Sequence, residues 1–163
     1  MLVAQEQLLF VRRMVATFET YTSTMLLIVA VQSEYIAIVV MLRAVGHTFE
    51  SVDCDTPEKV RWGKDAWKSW QKEPIFADFI TPTRDTLLKE FRGGLTLTNE
   101  AFGSIAIVAN AGMPGGIEMR AGFDPERLTS SDGNPVMPKI RQALAFWDRR
   151  LGEAEAAFNK FAK

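Results

Sequence analysis

The sequence is poor in the side chains that most often carry chemistry. Its 163 residues include one cysteine and one histidine. A single cysteine excludes a disulfide within the chain, and a single histidine excludes a metal site built from several histidines of one chain. The formal net charge is only −1, so the chain has no overall field that would concentrate nucleic acid or an anionic membrane. We therefore expect no metal, no cofactor and no catalytic residues, and a binding protein rather than an enzyme.

The sequence also lacks an uninterrupted apolar run of about 20 residues, the length of a membrane span. Its most apolar stretch, from Met25 to Val45, carries Gln32 and Glu34 near the middle. We interpret this stretch as two buried segments or one long buried helix. No membrane association is expected, and the lone Cys54 agrees with a reducing, cytoplasmic location.

What the sequence does contain is enough apolar material for one packed domain over residues 1–163. It is 47% hydrophobic and 24% charged, close to the average of globular proteins. Apolar residues recur at helical spacing in five segments. Ser33 is a predicted N-cap, Thr56 caps a helix with Pro57 at its first position, and Pro82 is expected to kink or split another. The segments are approximately 3–22, 33–52, 56–72, 73–92 and 135–161.

Residues 95–134 differ from the rest because glycine, proline, asparagine and serine become frequent. Two apolar stretches, 104–109 and 116–120, flank the turn-forming residues 111–115. This pattern predicts a β-hairpin or a long loop inserted into the domain. The predicted fold is therefore mainly α, a four- to five-helix antiparallel bundle with this insertion.

The richest polar cluster is formed by Arg43, His47, Glu50 and Asp53. Spacings of three and four residues place the first three near one face of a helix. His47 could act there as a base or a metal ligand beside the two acids. The alternative, which we prefer, is a solvated helix flank with an Arg–Glu network, since one histidine is a poor basis for a metal site.

Cys54 lies directly between Asp53 and Asp55. Two neighbouring carboxylates raise the pKa of a thiol and so weaken it as a nucleophile. We interpret this cysteine as incidental rather than catalytic.

Three tryptophans alternate with lysines in the segment Trp62, Lys64, Trp67, Lys68 and Trp70. Such an aromatic and basic patch could stack nucleic-acid bases and hold phosphates. The alternative is that the rings fill the core while the lysine stems cover them. A third interpretation is a small-molecule pocket lined by Trp62, Trp67, Trp70 and Trp147.

The run from Arg84 to Phe91, Arg-Asp-Thr-Leu-Leu-Lys-Glu-Phe, resembles a family motif. The family is that of HEPN domains, helical nucleotide-binding and ribonuclease domains of prokaryotic toxin and defence systems. Its motif is an arginine, a polar residue, three further residues and a histidine, frequently followed by an aromatic residue at the second position. Arg84, Asp85 and Phe91 match, but Lys89 stands in the place of the histidine.

The resemblance implies a dimer in which two motifs meet at an RNA backbone. It makes Arg84, Asp85 and Lys89 candidates for contact with an anion or an RNA backbone. A histidine exchanges protons near neutral pH, whereas an ordinary lysine remains charged, so the resemblance implies a non-catalytic member. The alternative for Arg84 is a structural ion pair with Asp85 or Glu90.

The predicted function is thus a non-catalytic interaction module, a homodimer in a toxin–antitoxin, defence or phage-related system. A protein partner fits this function, and nucleic acid is left open as a partner. Two alternatives remain. One is an enzyme acting on RNA or a nucleotide through Arg84 and Lys89, with His47 as a distant base, and the other is the small-molecule-binding bundle.

Overall fold

The computed structural model describes residues 1–20, 27–90, 95–96, 102–109 and 117–161. Three helices occupy the first half of the chain. Helix α1 spans Val3–Glu19, α2 spans Leu27–Thr48 and continues as a π-helical turn over Phe49–Asp53, and α3 spans Pro57–Trp70. The predicted cap of α3 is confirmed, because the hydroxyl oxygen of Thr56 accepts a hydrogen bond from a backbone amide of the first turn.

Helix α2 is one continuous helix, which decides between the two interpretations of the most apolar stretch. The prediction that a helix begins at Ser33 is wrong, because α2 begins at Leu27 and Ser33 lies exposed within it. By length and composition alone, the helical stretch Ala30–Asp53 could cross a membrane. In the structure α2 packs against α1, against the helical residues 76–85 and against the C-terminal helix, as the core helix of a bundle does.

Residues 76–90 form one helical run, called the α4 run below. Helix α4 itself, Thr81–Asp85, lies between two π-helical stretches, Phe76–Ile80 and Thr86–Glu90. Pro82 occupies the first turn of α4, at the junction between π- and α-helical hydrogen bonding. Proline lacks an amide hydrogen, and a change of helix type is one way for a helix to accommodate that loss. The run therefore continues through Pro82 instead of splitting there.

Short strands follow the α4 run. Strand β1 (Leu95–Thr96) pairs antiparallel with β4 (Thr129–Ser130), and β2 (Phe102–Ala109) pairs antiparallel with β3 (Ile117–Phe123). The predicted turn, residues 111–115, lies outside the described residues. The pairing of β1 with β4 was not predicted, because two-residue strands show no alternation of apolar and polar residues.

The last helix, α5, spans Val136–Phe161 and agrees with the helix predicted there. Its buried stripe packs against α1, α2 and α3, and the structure confirms a mainly α-helical bundle. The core is rich in aromatic rings. Its largest fully buried side chains include Trp70, Trp147, Tyr35, Phe18 and Phe49.

Candidate functional site

A cleft of about 520 Å³ opens between α2 and the α4 run. Helix α2 contributes Arg43 and His47, which lie four residues and so about one turn apart. The α4 run contributes Arg84, Asp85 and Lys89. The packing of these helices thus brings together two polar groups that lie far apart in the sequence.

Asp85 holds the two cations of the α4 run. One carboxylate oxygen, Oδ1, accepts a hydrogen bond from Nη1 of Arg84 at 2.7 Å, and Oδ2 accepts one from Nζ of Lys89 at 2.6 Å. The hydrogen bond from Lys89, and after it the one from Arg84, lowers the pKa of the Asp85 carboxyl. At neutral pH this carboxylate is charged, and it orders two neighbouring cations at the cleft.

Arg43 is half-buried and rests on the aromatic core. Its guanidinium carbon lies 5.2 Å from the ring centre of Trp67 and 5.4 Å from that of Phe76, within the range of cation–π attraction. Burial lowers the pKa of Arg43, and the positive charge of Arg84 lowers it further. The positive charges of Arg43 and Arg84 therefore interact electrostatically across the cleft.

The lining of the cleft carries more positive than negative charge. Arg43, Arg84 and Lys89 provide three cations, and Asp85 provides one carboxylate. The imidazole of His47 is exposed at the same cleft. This arrangement can hold an anion, and it places one imidazole beside it.

One acid near His47, Asp53, has a structural role. Asp53 is buried, and its two carboxylate oxygens accept hydrogen bonds from the backbone amides of Val3 at 2.7 Å and Ala4 at 3.0 Å. It thereby caps the start of α1 from a distant part of the chain. Among the described residues, no three histidine, cysteine or acidic side chains are placed to share a metal ion.

Cys54 is partly buried against the core, and its pKa is raised from 9.0 to about 11. The largest cause is burial, followed by the charges of Asp53 and Glu50. From the sequence, only the two flanking aspartates were expected to raise this pKa. In the structure Asp55 contributes least to the increase, and its Oδ1 lies 2.6 Å from Nζ of Lys59. A thiol that resists ionisation is a weak nucleophile.

The predicted aromatic and basic patch separates into two parts. Trp67 and Trp70 are only 7% and 2% exposed, so these rings are not available for stacking with bases. Trp62 is partly buried and packs against Trp70, while Lys64 and Lys68 point to the surface. The rings of Trp67 and Trp147 are stacked, with their centres 6.3 Å apart. The four tryptophans therefore pack against one another, and Trp67, Trp70 and Trp147 are buried in the core.

Each charged residue that lines the cleft was singled out from the sequence, but the cleft itself was not predicted. Arg43 and His47 were grouped with Glu50 because of helical spacing, and Arg84 was grouped with Lys89 because of the motif. Only the packing of α2 against the α4 run joins the two groups, and no local pattern reports that packing. Comparison of the chain with protein-family models, with curated proteins and with solved structures finds no match.

Proposed function

We propose that this chain is a non-catalytic helical module that binds an RNA backbone in the cleft between α2 and the α4 run. The observation that carries the proposal is the convergence of Arg43, Arg84 and Lys89 on one cleft with a single carboxylate, Asp85. Contacts between cationic side chains and phosphate supply most of the sequence-independent affinity of nucleic-acid-binding proteins. The cleft can hold such a phosphate even though the chain as a whole is near neutral.

The energetics of the two arginines support an anionic ligand. Burial is the largest cause of the lowered pKa of Arg43, the charge of Arg84 lowers it further, and the charges of Glu50 and Asp85 partly offset these effects. A phosphate at the cleft would add an attraction to both arginines, and guanidinium groups bind phosphate oxygens through paired hydrogen bonds. Arg43 is already fixed on Trp67 and Phe76, which reduces the conformational entropy lost on binding.

The resemblance to HEPN domains supports RNA over other phosphate ligands. The matched residues Arg84 and Asp85, together with Lys89, line this cleft, where the resemblance would place an RNA backbone. Lys89 can hold a phosphate as a point charge. It is a poor substitute for an acid–base histidine, which is why the proposed module does not cleave what it binds.

Fluorescence anisotropy with a labelled single-stranded RNA tests the proposal. We expect binding that weakens as salt rises. Arg84→Ala and Lys89→Ala should each lower the affinity by roughly three- to tenfold and reduce the slope of log affinity against log salt by about 0.7, the value for one phosphate contact on a single strand. The matched controls are Lys64→Ala and Lys68→Ala, which remove lysines of the predicted patch on α3 and should change little.

Two outcomes would contradict RNA binding at the cleft. One is the absence of binding at low salt, and the other is an equal loss of affinity in the α3 lysine variants. If inorganic phosphate or a nucleotide competes but RNA itself does not bind, the ligand is a small phosphate compound instead.

A second candidate function is metal-independent RNA cleavage, which is favoured by the presence of His47 at the same cleft as Arg84. The test is incubation of RNA with the protein in the presence of EDTA. Cleavage that is lost in both His47→Ala and Arg84→Ala, while His47→Ala still binds RNA, would establish the enzyme and overturn the non-catalytic proposal.

A further inference from the structure

Two adjoining cavities lie on a face of the α4 run that the cleft with Arg43 and Arg84 does not use. Their volumes are about 210 Å³ and about 100 Å³. Residues of α2, of the α4 run, of β4 and of the loop after β4 line both cavities: Tyr35, Asp78, Thr83, Ser130 and Asp132. The two cavities together are called the acidic pocket below. No residue that lines the cleft also lines the acidic pocket, so a ligand there would not occupy the proposed RNA site.

Tyr35 brings a buried hydroxyl group to the acidic pocket. The residue is only 1% exposed, and no described residue forms a hydrogen bond with its hydroxyl. Burial, and after it the negative charge of Asp132, raises the pKa of Tyr35 to about 12. The phenolic oxygen is therefore close enough to the Asp132 carboxylate to interact with its charge, on the side of the ring that faces the pocket. Buried polar groups almost always have a hydrogen-bond partner, so this hydroxyl points to a ligand that supplies one.

Asp132 is fixed by its own loop in the free protein. Its Oδ1 accepts a hydrogen bond from the hydroxyl of Ser130, and its Oδ2 accepts one from Nδ2 of Asn134 at 2.5 Å. The loop turns at Gly133, where φ is +80°, and the Gly133 amide donates to the carbonyl of Ser130 at 2.8 Å. The hydrogen bond from Ser130, and after it the one from Asn134, lowers the pKa of the Asp132 carboxyl. A carboxylate has about four acceptor positions, so Asp132 is charged at neutral pH and keeps positions open for a ligand.

Asp78 places a second carboxylate at the acidic pocket, and this carboxylate pairs with no other described residue. The described lining of the larger cavity contains the two acids and no cation. Lys139 lines the smaller cavity alone, as one positive charge against the same two carboxylates. Pro82 and Leu87 add apolar surface to the larger cavity. The acidic pocket therefore combines negative charge with an apolar wall, which suits a cation that carries an apolar group.

We propose that the acidic pocket binds a small primary alkylammonium compound, with its ammonium group held by Asp78, Asp132 and Tyr35 and its alkyl chain on Pro82 and Leu87. An ammonium group has three N–H donors, and each of the three polar side chains offers an acceptor oxygen. A metal ion suits the site less well, because among the described residues no three histidine, cysteine or acidic side chains are placed to share one. The volume of the larger cavity, about 210 Å³, corresponds to roughly seven non-hydrogen atoms at about 30 Å³ for each water molecule of the liquid.

A titration of the full chain with hexylamine at neutral pH, followed by ¹H–¹⁵N NMR, tests the proposal. Hexylamine matches this size and is positively charged at that pH. We expect the amide signals of residues 130–134 to shift, with a dissociation constant of roughly 1 mM, whereas those of α3 should not move. Hexanol has the same shape without the charge. It should bind at least about tenfold more weakly, because it lacks the charge-assisted hydrogen bonds to the carboxylates.

Substitutions in the acidic pocket should weaken the binding of hexylamine. Asp78→Asn and Asp132→Asn should each lower the affinity by roughly three- to tenfold, and Tyr35→Phe, which removes only the hydroxyl, by about threefold. Asp65→Asn removes an exposed carboxylate of α3 and should bind hexylamine as the wild type does. Because the Asp78 carboxylate has no partner in the described part of the chain, Asp78→Asn should leave the fold intact. An amide spectrum like that of the wild type before the titration would verify this.

Four results would overturn the proposal. The first three are the absence of a shift up to ~10 mM hexylamine, equal binding of hexanol, and Asp78→Asn and Asp132→Asn variants that bind hexylamine as well as the wild type. The fourth is displacement of hexylamine by a lower concentration of calcium chloride. Equal binding of hexanol would make the occupant an uncharged apolar compound, and displacement by calcium would make it a metal ion.

Discussion

The aromatic core and the basic cleft lie on opposite sides of α2. Different substitutions are expected to disrupt the packing of the core and the ligand binding of the cleft. Gly46 faces the core, where a side-chain carbon would overlap the rings of Trp67 and Trp147. Its near neighbours Arg43 and His47 line the cleft. Around Gly46 the core has no room for a further side-chain carbon, whereas the cleft has ample volume and an excess of positive charge. An added methyl group should therefore damage the first region, and a removed charge should damage the second.

The largest effect is expected from Gly46→Ala. The new Cβ would overlap Cη2 of Trp67 and would lie 2.6 Å from Cη2 of Trp147, far inside van der Waals contact. Rings held on several sides cannot move away cheaply. We expect urea denaturation to show the free energy of unfolding lowered by about 3 kcal/mol, although alanine is the better helix former.

Gly152→Ala in α5 is the matched control for that overlap. No atom lies within 4 Å of the position its Cβ would take, so only helix propensity acts there. This variant should gain up to about 1 kcal/mol of stability. If Gly46→Ala is as stable as Gly152→Ala, the core is not packed as described.

Arg43 belongs to both regions and should show both effects at a smaller size. Arg43→Ala removes two cation–π contacts and the packing of the stem, so we expect a loss of about 1–2 kcal/mol of stability together with weaker RNA binding. Arg84 belongs to the cleft alone. Its ion pair with Asp85 is only partly buried, so Arg84→Ala should weaken RNA binding while costing less than about 1 kcal/mol.

Denaturation and anisotropy measurements on the same two variants would compare the regions directly. If Arg43→Ala lowered RNA affinity without any loss of stability, its stacking on the core would be unimportant. If Arg84→Ala were strongly destabilising, the cleft would be part of the packed core rather than a separate surface.

The same contrast explains how far the sequence could predict this molecule. The cap at Thr56 and the helix over Val136–Phe161 follow from local chemistry and periodicity, and both were predicted. Ser33 has the chemistry of a cap, but α2 continues through it, with Val31 buried before it and Tyr35 buried after it, and this packing outweighs the local preference. The pattern of tryptophans and lysines was compatible both with core packing and with a surface patch. Only tertiary packing shows that Trp67 belongs to the core.

The pKa shifts of titratable groups differ between the cleft and the core. At the cleft, hydrogen bonds from Lys89 and Arg84 lower the pKa of Asp85. Against the core, burial raises the pKa of Cys54 to about 11. The folded-state pKa of this thiol lies above its ordinary value of 9.0. The stability that its neutral form contributes is therefore fully present below pH 9 and is lost as the pH rises through about 11.

The alkylation rate of Cys54 with iodoacetamide, measured against pH, reports this difference. In the folded protein the rate should still be rising above pH 10, whereas in urea the profile should level off about two pH units earlier. The position of the profile, rather than the rate itself, is the quantity compared, because restricted access lowers the rate at every pH without moving the midpoint. Equal midpoints in the two states would show that the thiol is not buried against the core, so Cys54 would not belong to the core region.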